Sequence, residues 1–170
     1  MKKTFIFALC CMALAFVACK PDNPEDTTDY TDTYVGNYIG TYNFVITSMN
    51  NQPSGVTFQI ENIGMDITKG TEFNAIAATV TVDNKTHQTT GKATKDKAQF
   101  DNVHLVIDEM HQISNPYLFN LDLLMEGTKA DSDTLKVTGT FSGNGKFTFN
   151  GTETILNEVS GTLSGDLVKQ

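Results

Sequence analysis

The feature that most constrains this chain is a period of two. Tyr38, Gly40, Tyr42, Phe44 and Ile46 fall on one face of an extended segment, while Thr41, Asn43 and Thr47 fall mainly on the other. Successive side chains of a strand point to opposite faces, so this alternation describes a strand with one face buried and one wet. The same pattern returns at Val56, Phe58 and Ile60, at Val103, Leu105 and Ile107, and at Phe119, Leu121, Leu123 and Met125. It returns again at Leu135, Val137, Gly139 and Phe141, and at Val159, Gly161, Leu163 and Leu167. No stretch carries an apolar stripe of helical period over ten or more residues.

Turn signals stand between these runs: Asn50-Asn51-Gln52-Pro53-Ser54-Gly55, Asp83-Asn84-Lys85, Ser114-Asn115-Pro116 and Ser142-Gly143-Asn144-Gly145. The most specific is Asn144-Gly145 between Phe141 and Phe147, because a type I′ hairpin turn needs two residues that tolerate positive φ. The expected fold class is all-β, an antiparallel meander barrel of about 8–10 strands, with a two-sheet β-sandwich as the alternative. An internal echo favours the barrel: Tyr38-Ile39-Gly40-Thr41-Tyr42, Val137-Thr138-Gly139-Thr140-Phe141 and Val159-Ser160-Gly161-Thr162-Leu163. Each places Gly on the buried parity between larger residues, where a strand can coil sharply. The first and last elements share this device, and a closed barrel makes them neighbours.

The N-terminus obeys a different logic. Lys2 and Lys3 precede the apolar run Phe5 to Val17, which is too short to span a bilayer and has the layout of a secretory signal over residues 1–18. The quartet Phe16-Val17-Ala18-Cys19 resembles the lipobox of bacterial lipoproteins, with Phe16 in place of the usual Leu. The resemblance implies lipidation, palmitate included, at Cys19, which outcompetes Cys10 and Cys11 because cutting there leaves too short an apolar core. More than one acyl chain makes such an anchor stable. A lipidated Cys19 leaves the mature chain without a free thiol or disulfide.

Residues 19–34 then read as an acidic, proline-punctuated tether with too little apolar surface to order itself. A Lys followed by acids after the lipidated Cys resembles the export signal of surface lipoproteins in some Gram-negative lineages. Outer-membrane attachment is expected, facing either the cell surface or the periplasm. Asp26-Thr27-Thr28 and, more weakly, Asp133-Thr134-Leu135 resemble the O-glycosylation acceptor of those lineages, making Thr27 the candidate acceptor.

The opening Val35-Gly36-Asn37-Tyr38-Ile39-Gly40-Thr41-Tyr42 and the closing Val159-Ser160-Gly161-Thr162-Leu163-Ser164-Gly165, behind such a signal and tether, resemble the calycin-like, or lipocalin-like, β-barrel lipoproteins. The resemblance implies a barrel domain over residues 35–170. It departs from true lipocalins, whose first-strand Trp and the Arg packed on it are absent from a chain with no Trp and no Arg.

Charge narrows the function. Twelve cations, all Lys, face 20 acids for a net charge of −8. Removing residues 1–18 takes two Lys and no acid, leaving 10 against 20, a net of −10. Nucleic acid is not an expected partner, since that affinity rests on clustered cations and on Arg.

No catalytic residue, cofactor or metal site is expected. His104 lies on a wet strand parity, His87 and His111 fall in turn-like stretches, and none adjoins a nucleophile motif. Ligation by His104 with His111 lacks a supporting spacing. The acids Asp108-Glu109, Asp131/Asp133 and Asp122/Glu126 sit at strand ends, in a hairpin loop or on a wet parity, where acids are ordinary. The inward aromatics Tyr42, Phe44, Phe58, Phe119, Phe141, Phe147 and Phe149 either line a hydrophobic cavity or fill the core, the latter being commoner in small barrels. The expectation is a membrane-anchored, non-enzymatic barrel for a small apolar or amphipathic ligand. An immunoglobulin-like surface adhesion or assembly module is the alternative.

Overall fold

The computed structural model describes residues 27–109 and 116–170. A short helical turn α1 (Thr31–Tyr34) leads into β1 (Gly36–Met49), β2 (Gln52–Lys69), β3 (Ala75–Val82) and β4 (Lys85–Ala93). Then follow β5 (Ala98–Asp108), β6 (Tyr117–Lys129), β7 (Thr134–Phe149) and β8 (Thr152–Lys169). Each strand pairs antiparallel with the next, and β8 returns to β1, so the meander is a closed ring of eight strands. The ring is uneven. β2 and β8 run for 18 residues each, whereas β3 and β4 have only 8 and 9.

Closure decides between barrel and sandwich. β1 pairs with β8 from Tyr38 against Lys169 to Met49 against Val159, so the strands carrying Gly40 and Gly161 are neighbours and the two-sheet sandwich is set aside. The inward glycines show why the ring can coil. A Cβ on Gly161 would stand 2.1 Å from the Val45 carbonyl oxygen and 2.6 Å from Cζ of Phe141; one on Gly139 would stand 2.3 Å from the Leu124 carbonyl oxygen. Neighbouring backbone occupies the space a side chain would need.

Three two-residue turns share one end of the ring: Asn50-Asn51 (φ 48° and 63°), Asp83-Asn84 (48° and 63°) and Asn150-Gly151 (49° and 76°). Positive φ at both positions is the type I′ requirement. The turn expected at Asn144-Gly145 is therefore displaced. Both residues lie within β7, opposite Asn120 and Phe119 of β6, and the reversal falls six residues later at a second Asn-Gly. Turning at the later pair keeps Lys146 to Phe149 in the β7–β8 ladder, and Gly145 instead admits Phe119, whose Cδ1 lies 2.5 Å from where a Cβ would sit.

The opposite end is plugged. Tyr34 and Tyr38 are 1% and 0% exposed, and the Tyr38 hydroxyl donates to the Tyr34 carbonyl at 2.9 Å. The Tyr30 amide donates to Asn74 Oδ1 at 2.7 Å, and Lys69 Nζ lies 2.9 Å from Asp32. Lys129 Nζ sits 5.0 Å above the Tyr38 ring and donates to its hydroxyl at 3.3 Å, a cation over an aromatic face. The end of the expected tether is thus folded: Thr31 is buried and α1 packs on the barrel, so order begins before Val35.

Candidate functional site

Four of the inward aromatics form one packed column. The Phe44 and Phe58 rings are stacked at 4.7 Å and 3°, Phe58 and Phe119 at 5.4 Å and 11°, and Phe141 meets Phe44 edge-on at 5.6 Å. Tyr42 extends the column at 6.3 Å from Phe44. Such offset and edge arrangements suit the ring quadrupoles and exclude water. Tyr42 is fully buried with its hydroxyl 3.7 Å from Met65 Sδ, and burial pushes its ionisation far above the ordinary tyrosine range. This part of the interior is core.

Above the column, at the end bearing the three tight turns, the filling stops. A pocket of about 200 Å3 opens there. Phe58, Tyr117, Phe119 and Phe147 supply its aromatic walls, and Ile46, Met49, Val56 and Leu156 its aliphatic ones. The long strands β1, β2, β7 and β8 rise past the short β3–β4 hairpin, so apolar side chains at their upper ends lack partners on that side. Val56 stays 49% exposed although it lies on the apolar parity of β2. The aromatic set thus divides: Tyr42, Phe44 and Phe141 belong to the core alone, whereas Phe58, Phe119 and Phe147 touch both core and pocket. Phe149 ends β7, with its side chain outside the described residues.

Met49, Tyr117 and Leu156 line the pocket without having stood out in the sequence. Tyr117 was legible, since it continues the Phe119-Leu121 parity by one step. Leu156 was not, because the stretch around it, Thr152 to Glu158, is mostly polar and a register shift in the β7–β8 ladder re-aims it inward. Burial raises the Tyr117 phenol, and the carboxylates of Glu109 and Asp83 push it the same way.

The titratable candidates are engaged locally. His104 is exposed, with Nδ1 3.0 Å from Asp122, and that contact, with a further bond from Asn102, holds the Asp122 carboxyl below its usual range. Glu126 accepts from Lys97 at 2.7 Å and Gln99 at 3.0 Å. Asp131 accepts the Asp133 and Thr134 amides at 2.9 and 2.7 Å, which fixes the β6–β7 loop and lowers its carboxyl. His87 is not in a turn: it lies inside β4, half-buried. Its misplacement has a physical reason, since β4 presents His87, Thr89 and Gly91 inward and shows no apolar alternation. Among the described residues no group of three or more metal-ligating side chains converges.

Two larger concavities, about 460 and 550 Å3, have mixed linings, Glu72, Lys92 and Asp101 beside Ile76 and Phe100 in one and Gln99, Glu126 and Thr138 beside Leu124 and Met125 in the other. Thr27 is exposed ahead of α1, and Thr134 opens β7 half-buried. Cys19 and His111 lie outside the described residues. No protein-family model matches the chain, and no curated protein matches it.

Proposed function

We propose that this chain is a membrane-anchored, non-enzymatic lipoprotein of the calycin-like type whose barrel holds a small apolar or amphipathic ligand at its open end. The observation that carries the reading is the pocket walled by Phe58, Tyr117, Phe119 and Phe147. Apolar surface left facing a concavity is stabilised by whatever apolar group fills it.

Size limits the ligand. An apolar cavity of about 150 Å3 accepts benzene, whereas drug-sized ligands need roughly 300–1,000 Å3. A space of about 200 Å3 therefore takes one aromatic ring or a short alkyl segment, with the rest of the molecule in solvent. The N-terminal chain enters at the plugged end through α1, so a lipid on Cys19 would leave the pocket facing away from the anchoring membrane, on the cell surface or in the periplasm. Ligand would then arrive from the aqueous side.

Native mass spectrometry of the mature protein, with solvent extraction and analysis of what is released, tests the binding. A bound small molecule lost on Phe147→Asp is the expected result; an empty protein that also takes up no added apolar probe would refute it. For the anchor, labelled palmitate should enter the wild-type chain and not Cys19→Ala, and continued labelling of the variant would remove that half of the reading.

A further inference from the structure

The plugged end of the ring, which receives the N-terminal chain, also carries an exposed aromatic ring. The β2–β3 hairpin closes there through the Gly70 amide to the Ala75 carbonyl at 2.8 Å and the Ala75 amide to the Glu72 carbonyl at 3.0 Å. Asn74 supplies the positive φ of this turn, 57°, a conformation that Asn tolerates. Phe73 is left at the tip, 58% exposed, whereas the other aromatic side chains among the described residues belong to the core or pack against it. Asn74 also pins the incoming chain: its Oδ1 accepts the Tyr30 amide at 2.7 Å and its Nδ2 donates to the Thr28 carbonyl at 3.4 Å. The exposed ring is thus one residue away from the point where the N-terminal chain meets the barrel.

We propose that Phe73 enters the interfacial layer of the bilayer that holds the anchor, a second contact that seats the barrel with its plugged end on the lipid. The inference rests on the reading of Cys19 as lipidated and adds a protein–lipid surface to it. Length makes the contact attainable. Nine residue steps separate Cys19 from Thr28, so at ~3.3 Å per residue this end stays within about 30 Å of the acyl chains. A single ring would not hold an untethered barrel on a membrane, where even one myristoyl chain binds only marginally. The tether changes that, because the second contact becomes intramolecular and a short linker gives it a high effective concentration. Apolar burial drives the contact rather than charge, since Glu72 precedes the ring and Asp131 and Asp133 lie in the β6–β7 loop at the same end. Other exposed apolar side chains are placed differently. Ile39, Val45, Leu124 and Val168 lie on strand walls, while Val56 lines the pocket and Ile155 is next to its wall residue Leu156.

The chain has no Trp, so F73W introduces its only indole, and I155W is the control at the opposite end, where Ile155 is 62% exposed. Residues 19–170 of each variant, whose single thiol is Cys19, are coupled through it to a maleimide lipid in phosphatidylcholine vesicles that carry brominated acyl chains as quencher. The F73W emission should shift to the blue and lose about twofold in intensity, as befits a ring at the acyl boundary. The I155W emission should change little, and neither indole should respond in the uncoupled protein. Raised salt should leave the F73W signal in place, because screening acts on charges. Without any substitution, the amides of residues 71–74 should exchange more slowly in the coupled chain than in the uncoupled one. A solvent-like F73W emission after coupling, or unchanged exchange at 71–74, would overturn the proposal. So would equal quenching of both indoles, which describes a barrel lying on its side, and release of the ring by salt. Palmitate that fails to enter the native chain would remove the anchor and this proposal with it, whereas an unquenched F73W beside normal palmitate labelling would remove the docking alone.

Discussion

The ring is closed by seams of two kinds. β7 and β8 pair from Thr134 against Val168 to Phe149 against Thr152, and β8 and β1 pair almost as far. β4 and β5 pair only where Gly91, Lys92 and Ala93 face Phe100, Gln99 and Ala98. Beyond that the strands are joined by side chains: Thr89 Oγ1 donates to the Asp101 carbonyl at 3.0 Å, Thr90 Oγ1 bonds the Asp101 carboxylate, and Lys85 reaches Asp108. A backbone ladder bonds every other residue whatever its side chain, whereas a side-chain seam depends on a few specific groups. The first kind should open only with the whole fold, and the second by itself.

The sharpest way to break this contrast uses one steric clash in two places. A Cβ on Gly161 would stand 2.1 Å from the Val45 carbonyl oxygen, and one on Gly91 would stand 2.1 Å from that of Gln99. Gly161→Ala must part a long ladder and displace Phe141 as well, so a loss of about 3 kcal/mol is expected, at the upper end of overpacking. Gly91→Ala meets a seam that can give way and should cost about 1 kcal/mol, toward the lower end of the same range. Urea unfolding of both variants measures the difference. Equal losses would mean that β4–β5 is as rigid as the rest.

Hydrogen exchange reads the same contrast without mutation. Amides of β4 and of β5 beyond Phe100 should exchange through local opening, while those of β7 and β8 should need the global transition. Uniform protection around the ring would contradict the two-seam picture. Thr89→Val comes next in size. It keeps the shape, leaves the Asp101 carbonyl without that donor, and should cost about 1 kcal/mol, with faster exchange confined to β4 and β5.

The two seams also differ in how legible they were. β1, β6, β7 and β8 bury large residues such as Phe44, Leu121, Val137 and Leu163, and their alternation announces both the strands and their neighbours. β3 buries Ile76, Ala78, Val80 and Val82, a correct period written partly in a small residue, and the sequence marked only the Asp83-Asn84 turn at its end. β4 buries Thr89 and Ala93 and half-buries His87, so hydropathy carries almost no signal there. The pocket was legible only in part for a related reason. Pattern shows that Phe44, Phe58 and Phe147 face inward, but which of them meet a partner depends on where β3 and β4 stop. That length is set by a turn and a register, neither of which is encoded in the aromatic residues themselves.

The smallest effect sits where the weak seam is least satisfied. Among the described residues His87 Nε2 is buried without a hydrogen-bond partner. Burial is the main influence holding the imidazole below its ordinary pKa; nearby His104 and Lys85 add to it as cations, and a bond to the His104 backbone works against it. The folded state therefore resists a proton that the unfolded chain accepts near pH 6.5. Above that pH both states are neutral at this site and nothing is lost. As pH falls through it, the unfolded state binds more protons and stability drops. The carboxylates Asp122 and Asp131, whose folded values are lowered, lose their contribution only at more acid pH, as it falls through and below their unfolded value of about 3.9. Between about pH 7 and pH 5 the decline should belong chiefly to His87. Urea midpoints across that window should fall for the wild type and stay flatter for His87→Leu. A wild type that gains stability on acidification would show that Nε2 finds an acceptor once protonated, and that the seam tightens where it is here expected to loosen.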